Sequence, residues 1–386
     1  MKKRFLRDIA EIQTGPFGSQ LHKEDYVDVG TPIVTVEHLG SRVFSEQNLP
    51  MVSDADKSRL SKYVLKKGDI VFSRVGSVDR CSFVDQKHDG WMFSGRCLRV
   101  RPSEEVEPLF LYYFFCLNAT KEFVRSIAVG ATMPSINTKL LGEVEVVCPG
   151  IEEQRKIADI LSKIDDKIEE NQKINENLQQ QAQALFTQCY EQADVSVPFT
   201  DLIQVLGGGT PKTGEASYWN GEIPFFTPKD VATPYTLTTE KTITQSGLEH
   251  CNSRLYPVNT VFVTARGTVG KVGLAGVPMA MNQSCYALTG KSISPLLTYH
   301  YTLMTVAHLK HKASGAVFDA IITRDFETET VKKLSDTLAE QFVAVASPIY
   351  ECILNNTLES QRLADLRNAL LPKLMSGELD ASDIEL

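Results

Sequence analysis

The sequence predicts an α+β fold in which two strand-rich domains are separated by a pair of long antiparallel coiled-coil helices. Two observations carry this prediction: the chain is an internal tandem repeat, and each copy ends in a long run of heptad spacing. The predicted organisation is a first domain over residues 1–150, a first helix region over 151–192, a second domain over 193–337, and a second helix region with the C-terminal tail over 338–386.

The repeat is visible as six matched segments in the same order, at offsets of about 185 to 193 residues. The matches are RDIAEIQTG (7–15) with TDLIQVLGG (200–208), TPIVTVEHL (31–39) with IPFFTPKDV (223–231), KKGDIVFSRVGSV (66–78) with PVNTVFVTARGTV (257–269), EPLFLYYFFCLN (107–118) with SPLLTYHYTLMT (294–305), GATMPSI (130–136) with GAVFDAI (315–321), and KIEENQKINENL (167–178) with CILNNTLESQRL (352–363). One match would be chance, but six in order indicate a duplication with a pseudo-twofold relation between the copies.

Each copy begins with short segments rich in Val, Ile, Phe and Thr and broken by Gly, Pro and Asn, which is typical of strands joined by long loops. A helix is predicted next, over about 108–127 and 295–313, because Pro108 and Pro295 suit a first helical position.

The segment after each predicted helix reads as a helix stop and a restart. Gly130 and Gly315 are expected as left-handed residues just past the helices. Asn137 or Thr138 in the first copy, and Thr323 in the second, are expected to cap a short following turn.

Alternating spacings of three and four predict a coiled-coil seam in each helix region. The predicted seam residues are Ile164, Ile168, Asn171, Asn175, Leu178 and Leu185 in the first helix, and Ile349, Ile353, Asn356, Ser360, Leu363 and Leu370 in the second. Polar residues near the middle of both seams favour a fixed antiparallel register, with exposure to solvent as the alternative. A kink or restart is expected at Ser347–Pro348, and a helix of about 28 residues would span roughly 40 Å, about one turn of B-DNA.

Several classes of protein are disfavoured by composition and motifs. No apolar run reaches the roughly 18 residues of a membrane helix, and the basic N-terminus lacks the apolar core of a secretory signal. The eight cysteines form no CxxC pair, which suits an intracellular, cytoplasmic protein without a metal site. The glycine-rich segments GGGTPK (207–212) and GTVGK (267–271) lack the spacing of a phosphate-binding loop, and we find no catalytic motif.

The net charge of −8 is unevenly distributed along the chain. Residues 1–150 carry 20 basic and 19 acidic side chains, and residues 193–337 carry 12 of each. The acidic excess therefore lies in the helix regions, and either near-neutral domain can present a basic face to nucleic acid.

The amino-acid sequences of the helical segments resemble those of a known family. The phrases INTKLL (136–141), IEEQRKIADIL (151–161) and IDDKIEENQKINENL (164–178), with ESQRLADLRNALLPKLMSGEL (359–379), resemble the DNA-specificity (S) subunit of type I restriction-modification systems. The likeness covers essentially the whole chain, although residues 320–342 have lost the EEQR run of the first copy.

This resemblance implies a non-catalytic subunit that serves a defence system against foreign DNA. Each domain would be a target recognition domain that reads one half of an asymmetric bipartite sequence in double-stranded DNA. The helices would separate the domains and dock two modification subunits, which would bring S-adenosylmethionine and the methyltransferase site. Motor-nuclease restriction subunits would join the complex, and this chain would bind no cofactor or metal itself.

Candidate DNA contacts are Arg, Lys, Asn, Gln, His and hydroxyl side chains in the loops, because these types read base edges or hold phosphates. In the first domain they are Thr14, Ser19, Gln20, His22, Lys23, Arg74, Ser77, Arg80, Lys87 and Arg96. In the second domain they are Thr210, Lys212, Thr213, Lys229, Thr264, Arg266, Thr268, Lys271, Asn282 and Gln283. Arg74 and Arg266 are the foremost candidates.

Two other functions fit the sequence. The first is a two-domain adaptor that holds proteins or peptides, with the coiled coil as its spacer. The second is an enzyme with an active cleft between the repeats that no recognised motif marks.

Overall fold

A computed structural model describes residues 2–16, 20–312 and 320–384. The chain forms two compact units, unit 1 from residues 1–168 with 362–386, and unit 2 from residues 169–361. Both are mixed α/β structures, and two long helices contribute to both. The predicted α+β class, with two strand-rich domains and two long helices, is therefore confirmed.

The first half of the chain contains ten strands and six helices within the described residues. In chain order they are β1 (Lys2–Phe5), α1 (Leu6–Ile9), β2 (Ala10–Thr14), β3 (Tyr26–Val27), β4 (Thr31–Val34), β5 (Met51–Val52), α2 (Asp54–Arg59), β6 (Ile70–Ser73), β7 (Cys81–Phe83), β8 (Met92–Phe93), β9 (Cys97–Pro102), α3 (Pro108–Cys116), α4 (Asn118–Ser126), α5 (Thr138–Gly142), β10 (Glu145–Cys148) and α6 (Ile151–Glu191).

The second half follows the same plan. Its elements are β11 (Val195–Pro198), α7 (Phe199–Leu202), β12 (Ile203–Gly207), β13 (Trp219–Phe226), β14 (Tyr235–Thr236), β15 (Thr242–Ile243), α8 (Gln245–Glu249), β16 (Val261–Thr264), β17 (Val272–Ala275), β18 (Ala280–Met281), β19 (Cys285–Gly290), α9 (Pro295–Lys312), α10 (Thr323–Glu327), β20 (Thr330–Lys333) and α11 (Asp336–Ser376).

The sheets of the two units match strand by strand. Unit 1 has the order β2-β9-β6-β7, and unit 2 has the order β12-β19-β16-β17-β14, with one extra strand at the edge. In a second sheet β4 pairs in parallel with β8, as β13 does with β18. Strands β1 and β10 form a separate antiparallel pair, and β11 with β20 repeats it. The duplication inferred from sequence is thus a duplication of topology.

The central strand of each main sheet is buried on both faces. In β6, Ile70 and Phe72 face the core that the helices complete, whereas Val71 faces a second core beneath the loops. In β16, Val261 and Val263 do the same, with Phe262 on the opposite face. Side chains alternate between the faces of a strand, so a strand that is apolar throughout fits a sheet covered on both sides.

The long helices α6 and α11 pack antiparallel within each unit. In unit 1, Ile157 and Leu161 near the start of α6 share a core with Leu371 and Leu374 near the end of α11. In unit 2 the order is reversed, and residues near the end of α6 share a core with residues near the start of α11. The unit 2 residues are Ala182, Phe186, Phe342, Ala346 and Ile353.

Both helices are longer than the 28 residues expected from sequence. Each spans 41 residues, and α11 continues through Ser347 and Pro348 without a restart. Both of these side chains are exposed, so the backbone carbonyl that loses its partner at Pro348 lies on the solvent side.

The polar residues of the predicted seams are buried in unit 2. Asn171 is fully buried, and its Nδ2 donates to Glu359 Oε2 at 2.7 Å. Asn356 Nδ2 donates to Asn175 Oδ1 at 2.9 Å, and Asn175 Nδ2 donates to Thr357 Oγ1 at 3.3 Å. The alternative interpretation, in which these side chains face solvent, is therefore wrong. Their hydrogen bonds stabilise a single register of the two helices. The remaining seam residues are all partly or fully buried: Ile164, Ile168, Leu178, Leu185, Ile349, Ile353, Ser360, Leu363 and Leu370.

Three buried or half-buried side chains join α3 of unit 1, and α9 of unit 2, to the long helices, but with different chemistry. In unit 1, Tyr113 Oη donates to Asp165 Oδ2 at 2.7 Å, and Arg367 Nη1 donates to Asp165 Oδ1 at 2.5 Å. In unit 2, His300 and Tyr350 stand at the positions of Tyr113 and Asp165, and His300 lies 3.0 Å from Tyr350 Oη through Nε2 and 3.0 Å from Gln183 Oε1 through Nδ1. Burial lowers the pKa of His300 to about 3, so the imidazole is neutral at pH 7.

The short helices differ from the sequence prediction in three places. The helix expected over 108–127 is broken at Leu117, whose ψ of 134° is extended. Gly130 has a φ of +110° but lies beyond the capping residue Ile127, in a loop closed by backbone bonds between Val129 and Ser135.

The cap of the short helix in unit 1 is Asn137, which accepts from Leu140 N at 2.9 Å. Thr323 does not cap the corresponding helix in unit 2, because it is already helical and Ile322 holds the capping position. There the Asp325 carboxylate accepts the free N–H of Ile322 at 2.7 Å. Gly315 lies outside the described residues.

The polar contact between the helices of unit 2 predicts a measurable coupling. In a double-mutant cycle of Asn175→Ala and Asn356→Ala, we expect each single change to destabilise and the pair to couple by on the order of 1 kcal/mol, because one direct bond is lost only once. Urea unfolding measures the four free energies. Additive losses would show that the bond contributes nothing.

The neutral His300 predicts acid sensitivity. Its pKa is about 3 when folded and about 6.5 when unfolded, so its stabilising contribution is complete above pH 6.5 and is lost as the pH falls towards 3. The stability advantage of the wild type over His300→Gln should shrink by about 3 kcal/mol between pH 7 and pH 4. Urea titrations at both pH values measure it, and a constant difference would contradict a neutral buried His300.

Candidate nucleic-acid interface

Three loops of unit 2 enclose a concavity of about 520 Å³. They follow β13, β16 and β18, and a fourth segment at residues 240–241 completes the rim. The lining combines cations, amide and hydroxyl side chains: Thr227, Lys229, Glu240, Lys241, Arg266, Thr268, Asn282 and Ser284. We call this concavity the unit 2 groove.

Asp230 holds the first loop of the groove in place. Its Oδ2 accepts from Thr227 N at 2.8 Å and from Thr227 Oγ1 at 2.6 Å, and its Oδ1 accepts from Glu240 N at 2.7 Å. One carboxylate therefore links residues 227–230 to the segment that carries Lys241. Lys229 is exposed on this loop.

Arg266 is exposed at the turn after β16. Its backbone N–H donates to Ser284 O at 3.3 Å, which places the turn beside the third loop. Gly267 and Gly270, with φ of +81° and +73°, permit the tight turn that follows. Among the described residues the Arg266 guanidinium has no hydrogen-bond or ion-pair partner, so all of its donors are available to a ligand.

The groove carries an excess of positive charge, since three of its lining residues are cations and only Glu240 is acidic. Lys241 is steadied by the Trp219 ring, whose centroid lies 5.6 Å from the ammonium. Asn282 Oδ1 accepts from Ser284 N at 3.0 Å, which positions the amide, and no described residue accepts a hydrogen bond from its NH₂ group. Cations that attract phosphates thus surround a positioned amide and a free guanidinium.

Other sequence candidates of unit 2 have varied positions. Thr264 has no exposed surface, and its hydroxyl accepts from Lys271 N at 2.9 Å, so its role is structural. Thr268 Oγ1 donates to Pro228 O at 3.0 Å at the rim of the groove. Thr210 donates to the Gln283 side chain, which ties two candidates to each other. The exposed candidates outside the groove lining are Lys212, Thr213, Lys271 and Gln283.

In unit 1 three candidate side chains form a hydrogen bond or an ion pair within the chain. Gln20 Oε1 accepts from Tyr63 Oη at 2.6 Å, Lys87 pairs with Glu46, and Arg80 donates to Leu39 O. Each of these three side chains therefore has a partner within the chain.

The remaining candidates of unit 1 lie at strand ends and loops. Arg74 N donates to Arg96 O at 2.8 Å, so these two arginines are neighbours at the ends of β6 and β9, and Arg74 Nη1 also donates to Gly95 O at 3.2 Å. Arg96, Ser77 and His22 are exposed, whereas Thr14 is half-buried at the end of β2. Lys23 begins a 3₁₀ turn, and Ser19 lies outside the described residues.

The structure also shows that Arg74 and Arg266 are not equivalent. Val75 bridges to Ser135 as Arg266 bridges to Ala320, so Val75 holds the position of Arg266 in unit 1. The two arginines are offset by one residue, and successive residues of a strand point to opposite faces.

Sequence reasoning missed four polar residues of the groove lining, Thr227, Glu240, Lys241 and Ser284, and it missed Asp230, which holds the first loop of the groove. Thr227-x-x-Asp230 carries a signal that could have been read, because a hydroxyl followed three residues later by an acceptor is a capping pattern. Thr35 and His38 form the same corner in unit 1, with His38 Nδ1 3.0 Å from Thr35 N. Lys241 has no local signal.

Within the described ranges no group of His, Cys, Asp and Glu could hold a metal ion. In the same part of the chain, no helix has the length and apolar character needed to cross a bilayer.

Comparisons with known proteins agree with this architecture. A family model described as the type I restriction modification DNA specificity domain matches residues 1–180 and 195–332. The HindI specificity subunit of Haemophilus influenzae is 24% identical over 83% of this chain and 88% of its own length. The MjaIX specificity subunit of Methanocaldococcus jannaschii is 23% identical over 98% of this chain and 93% of its own.

A solved structure shares the fold. The S subunit of a type I restriction-modification system from M. genitalium superposes with a TM-score of 0.59 at 14% identity, over 97% of this chain and 95% of that one. The family model matches most of the chain, in both halves of the repeat. The chain therefore belongs to the family of type I restriction-modification specificity subunits.

Proposed function

We propose that each unit reads one half of an asymmetric bipartite DNA target, and that the long helices dock modification subunits which carry out methyl transfer. The chain itself supplies specificity and no catalytic group. S-adenosylmethionine binds in the modification subunits, and motor-nuclease subunits complete the restriction complex.

The observation that carries the proposal is the unit 2 groove, with a partner-free Arg266 among a surplus of cations. A guanidinium reads guanine through two parallel hydrogen bonds to O6 and N7, and an amide such as that of Asn282 can read adenine. Lys229 and Lys241 suit the sequence-independent contacts to phosphates.

Divergence between the units supports two different half-sites. At the unit 1 positions that match Lys229, Lys241 and Arg266 stand Glu37, Pro50 and Val75. Unit 1 instead brings Arg74 and Arg96 together at its strand ends. A different set of donors on each scaffold favours a target whose halves are unlike.

The proposed docking surface lies on the long helices. Leu366 in unit 1, and Ile174 and Val345 in unit 2, are exposed apolar side chains on α6 and α11. Apolar side chains on an otherwise polar helix surface suit packing against helices of another subunit.

The whole proposal is tested by methyl transfer. The chain, purified with modification subunits from its own system, should direct methyl transfer from S-adenosylmethionine to a subset of a randomised duplex library. Neither component alone should do so. Sequence-independent methylation, or turnover by this chain alone, would favour the adaptor or the enzyme alternative.

Removing the Arg266 guanidinium should weaken recognition. We expect Arg266→Ala to cost on the order of 1–3 kcal/mol in specific DNA binding and to relax one position of the target, because a bidentate base contact is lost. Arg254→Ala is the matched control, since Arg254 is exposed in unit 2 away from the groove. Sequencing of methylated library members measures both effects, and equal behaviour of the two variants would refute the role of Arg266.

Removing the Asp230 carboxylate should loosen the groove. Asp230→Ala leaves Thr227 N–H and Glu240 N–H without their acceptor, so we expect a loss of about 1–3 kcal/mol in unfolding free energy. Specific DNA binding should weaken although no direct contact is removed. Asp201→Ala removes an exposed acid elsewhere in unit 2 and serves as the control in urea unfolding and DNA titration. If Asp230→Ala is destabilised but binds DNA as the wild type does, the hydrogen bonds of Asp230 do not contribute to DNA recognition.

A further inference from the structure

Unit 1 contains a polar cavity of about 230 Å³, beside the loop that carries the candidate Arg80. It is bounded by residues 40–42, by α3 and α4, and by segments of α6 and α11 that belong to unit 1. Its volume is below the roughly 300–1,000 Å³ typical of sites for drug-sized ligands, so it has room only for a small ion or molecule.

The cavity lining is strongly charged. Four cations line it, Arg42, Arg80, Lys121 and Arg367, against two carboxylates, Asp79 and Asp165. Cations gathered in a partly dehydrated space repel one another unless counter-charges compensate them.

The carboxylates are already engaged. Asp165 accepts from Tyr113 and from Arg367, and Asp79 pairs with Arg125 Nη1 at 2.7 Å. Arg42 pairs with Asp166.

Two cations of the lining remain without a carboxylate partner in the described structure. Arg80 has a neutral carbonyl oxygen, that of Leu39, as its hydrogen-bond acceptor. Lys121 is half-buried and has no hydrogen-bond or ion-pair partner among the described residues. The lining therefore holds uncompensated positive charge.

Gly40 leaves room for the Arg80 guanidinium. Its φ of +120° suits glycine, and a Cβ at this residue would lie 2.7 Å from Arg80 Nε and 2.8 Å from Nη2. The guanidinium of Arg80, an exposed residue, can therefore lie against the backbone and keep its remaining donors for a ligand.

The matched region of unit 2 provides an internal comparison. There the contact between α9 and the long helices is formed by neutral His300 with Tyr350 and Gln183. Among the described residues, no lysine or arginine lines the adjoining groove. The unit 2 junction thus packs without a lysine or arginine in its lining, whereas in unit 1 Arg80 and Lys121 line the cavity without a carboxylate partner in the described structure.

We infer that the unit 1 cavity binds a small oxyanion of the phosphate class, held by Lys121 and Arg80, with Arg42 and Arg367 adding positive charge around it. The inference does not rest on the proposed function. The anion can come from two sources, free inorganic phosphate or a backbone phosphate of bound DNA, and both present the same oxygens.

Phosphate titration of the full chain tests the inference. At constant ionic strength in chloride buffer, isothermal titration calorimetry with inorganic phosphate should show one saturable site. Lys121→Gln, which breaks no hydrogen bond within the described chain, should weaken binding at least tenfold, and Arg80→Gln should do the same. Lys173→Gln removes an exposed lysine of α6 outside the cavity and should bind as the wild type does.

Absence of saturable binding, or equal binding by wild type and Lys121→Gln, would overturn the inference. A second titration separates the sources, with a fluorescent duplex as the probe. If a DNA phosphate occupies the cavity, inorganic phosphate weakens duplex binding by the wild type more than by Lys121→Gln. If the occupant is free phosphate, duplex binding is unchanged while calorimetry still shows the site. Phosphate binding by the cavity is measured independently of methyl transfer. A chain that fails to direct sequence-specific methylation can therefore still confirm the phosphate site.

Discussion

The structure depends on the antiparallel packing of α6 against α11. Neither strand-rich domain encloses its core alone, because each sheet leaves an apolar face that needs segments of both long helices. Unit 1 takes the start of α6 and the end of α11, and unit 2 takes the remainder. The buried asparagines of unit 2 make this packing specific as well as favourable, because a shifted register would leave their amides without partners.

Duplication supplied one scaffold, and the two copies diverged where the scaffold tolerates it. The sheet order, the parallel pairing of the second sheet and the corner at Thr35 or Thr227 persist in both units. The polar contact between the long helices and α3 in unit 1 is ionic, and the corresponding contact with α9 in unit 2 is neutral. In each unit the buried polar atoms of this contact have hydrogen-bond partners. Loop residues changed most freely, which is expected where side chains face solvent and no core constrains them.

Periodicity and repetition predicted the fold well, because they are properties of neighbouring residues. Heptad spacing identified α6 and α11, although Ser347–Pro348 resembled a helix start and led to too short a helix. The candidate site was predicted only in part, since Lys229, Arg266, Thr268 and Asn282 line the groove but Lys241 was missed. The segment that carries Lys241 lies at the groove because Asp230 accepts from Glu240 N. These two residues are ten positions apart, and no local sequence pattern predicts their contact. Thr264 appeared to be a loop hydroxyl, but its burial depends on tertiary packing.

The share of unit 1 that comes from residues 362–386 has a consequence for synthesis on the ribosome. Leu371 and Leu374 join a core whose members in the first half of the chain are translated more than two hundred residues earlier. The first domain therefore emerges with an apolar face that stays uncovered until the end of the chain is made, and its contacts have a high sequence separation that slows folding. In the cell, the nascent first domain would depend on chaperones or on early association with a partner, whereas unit 2 is complete once residue 361 has emerged.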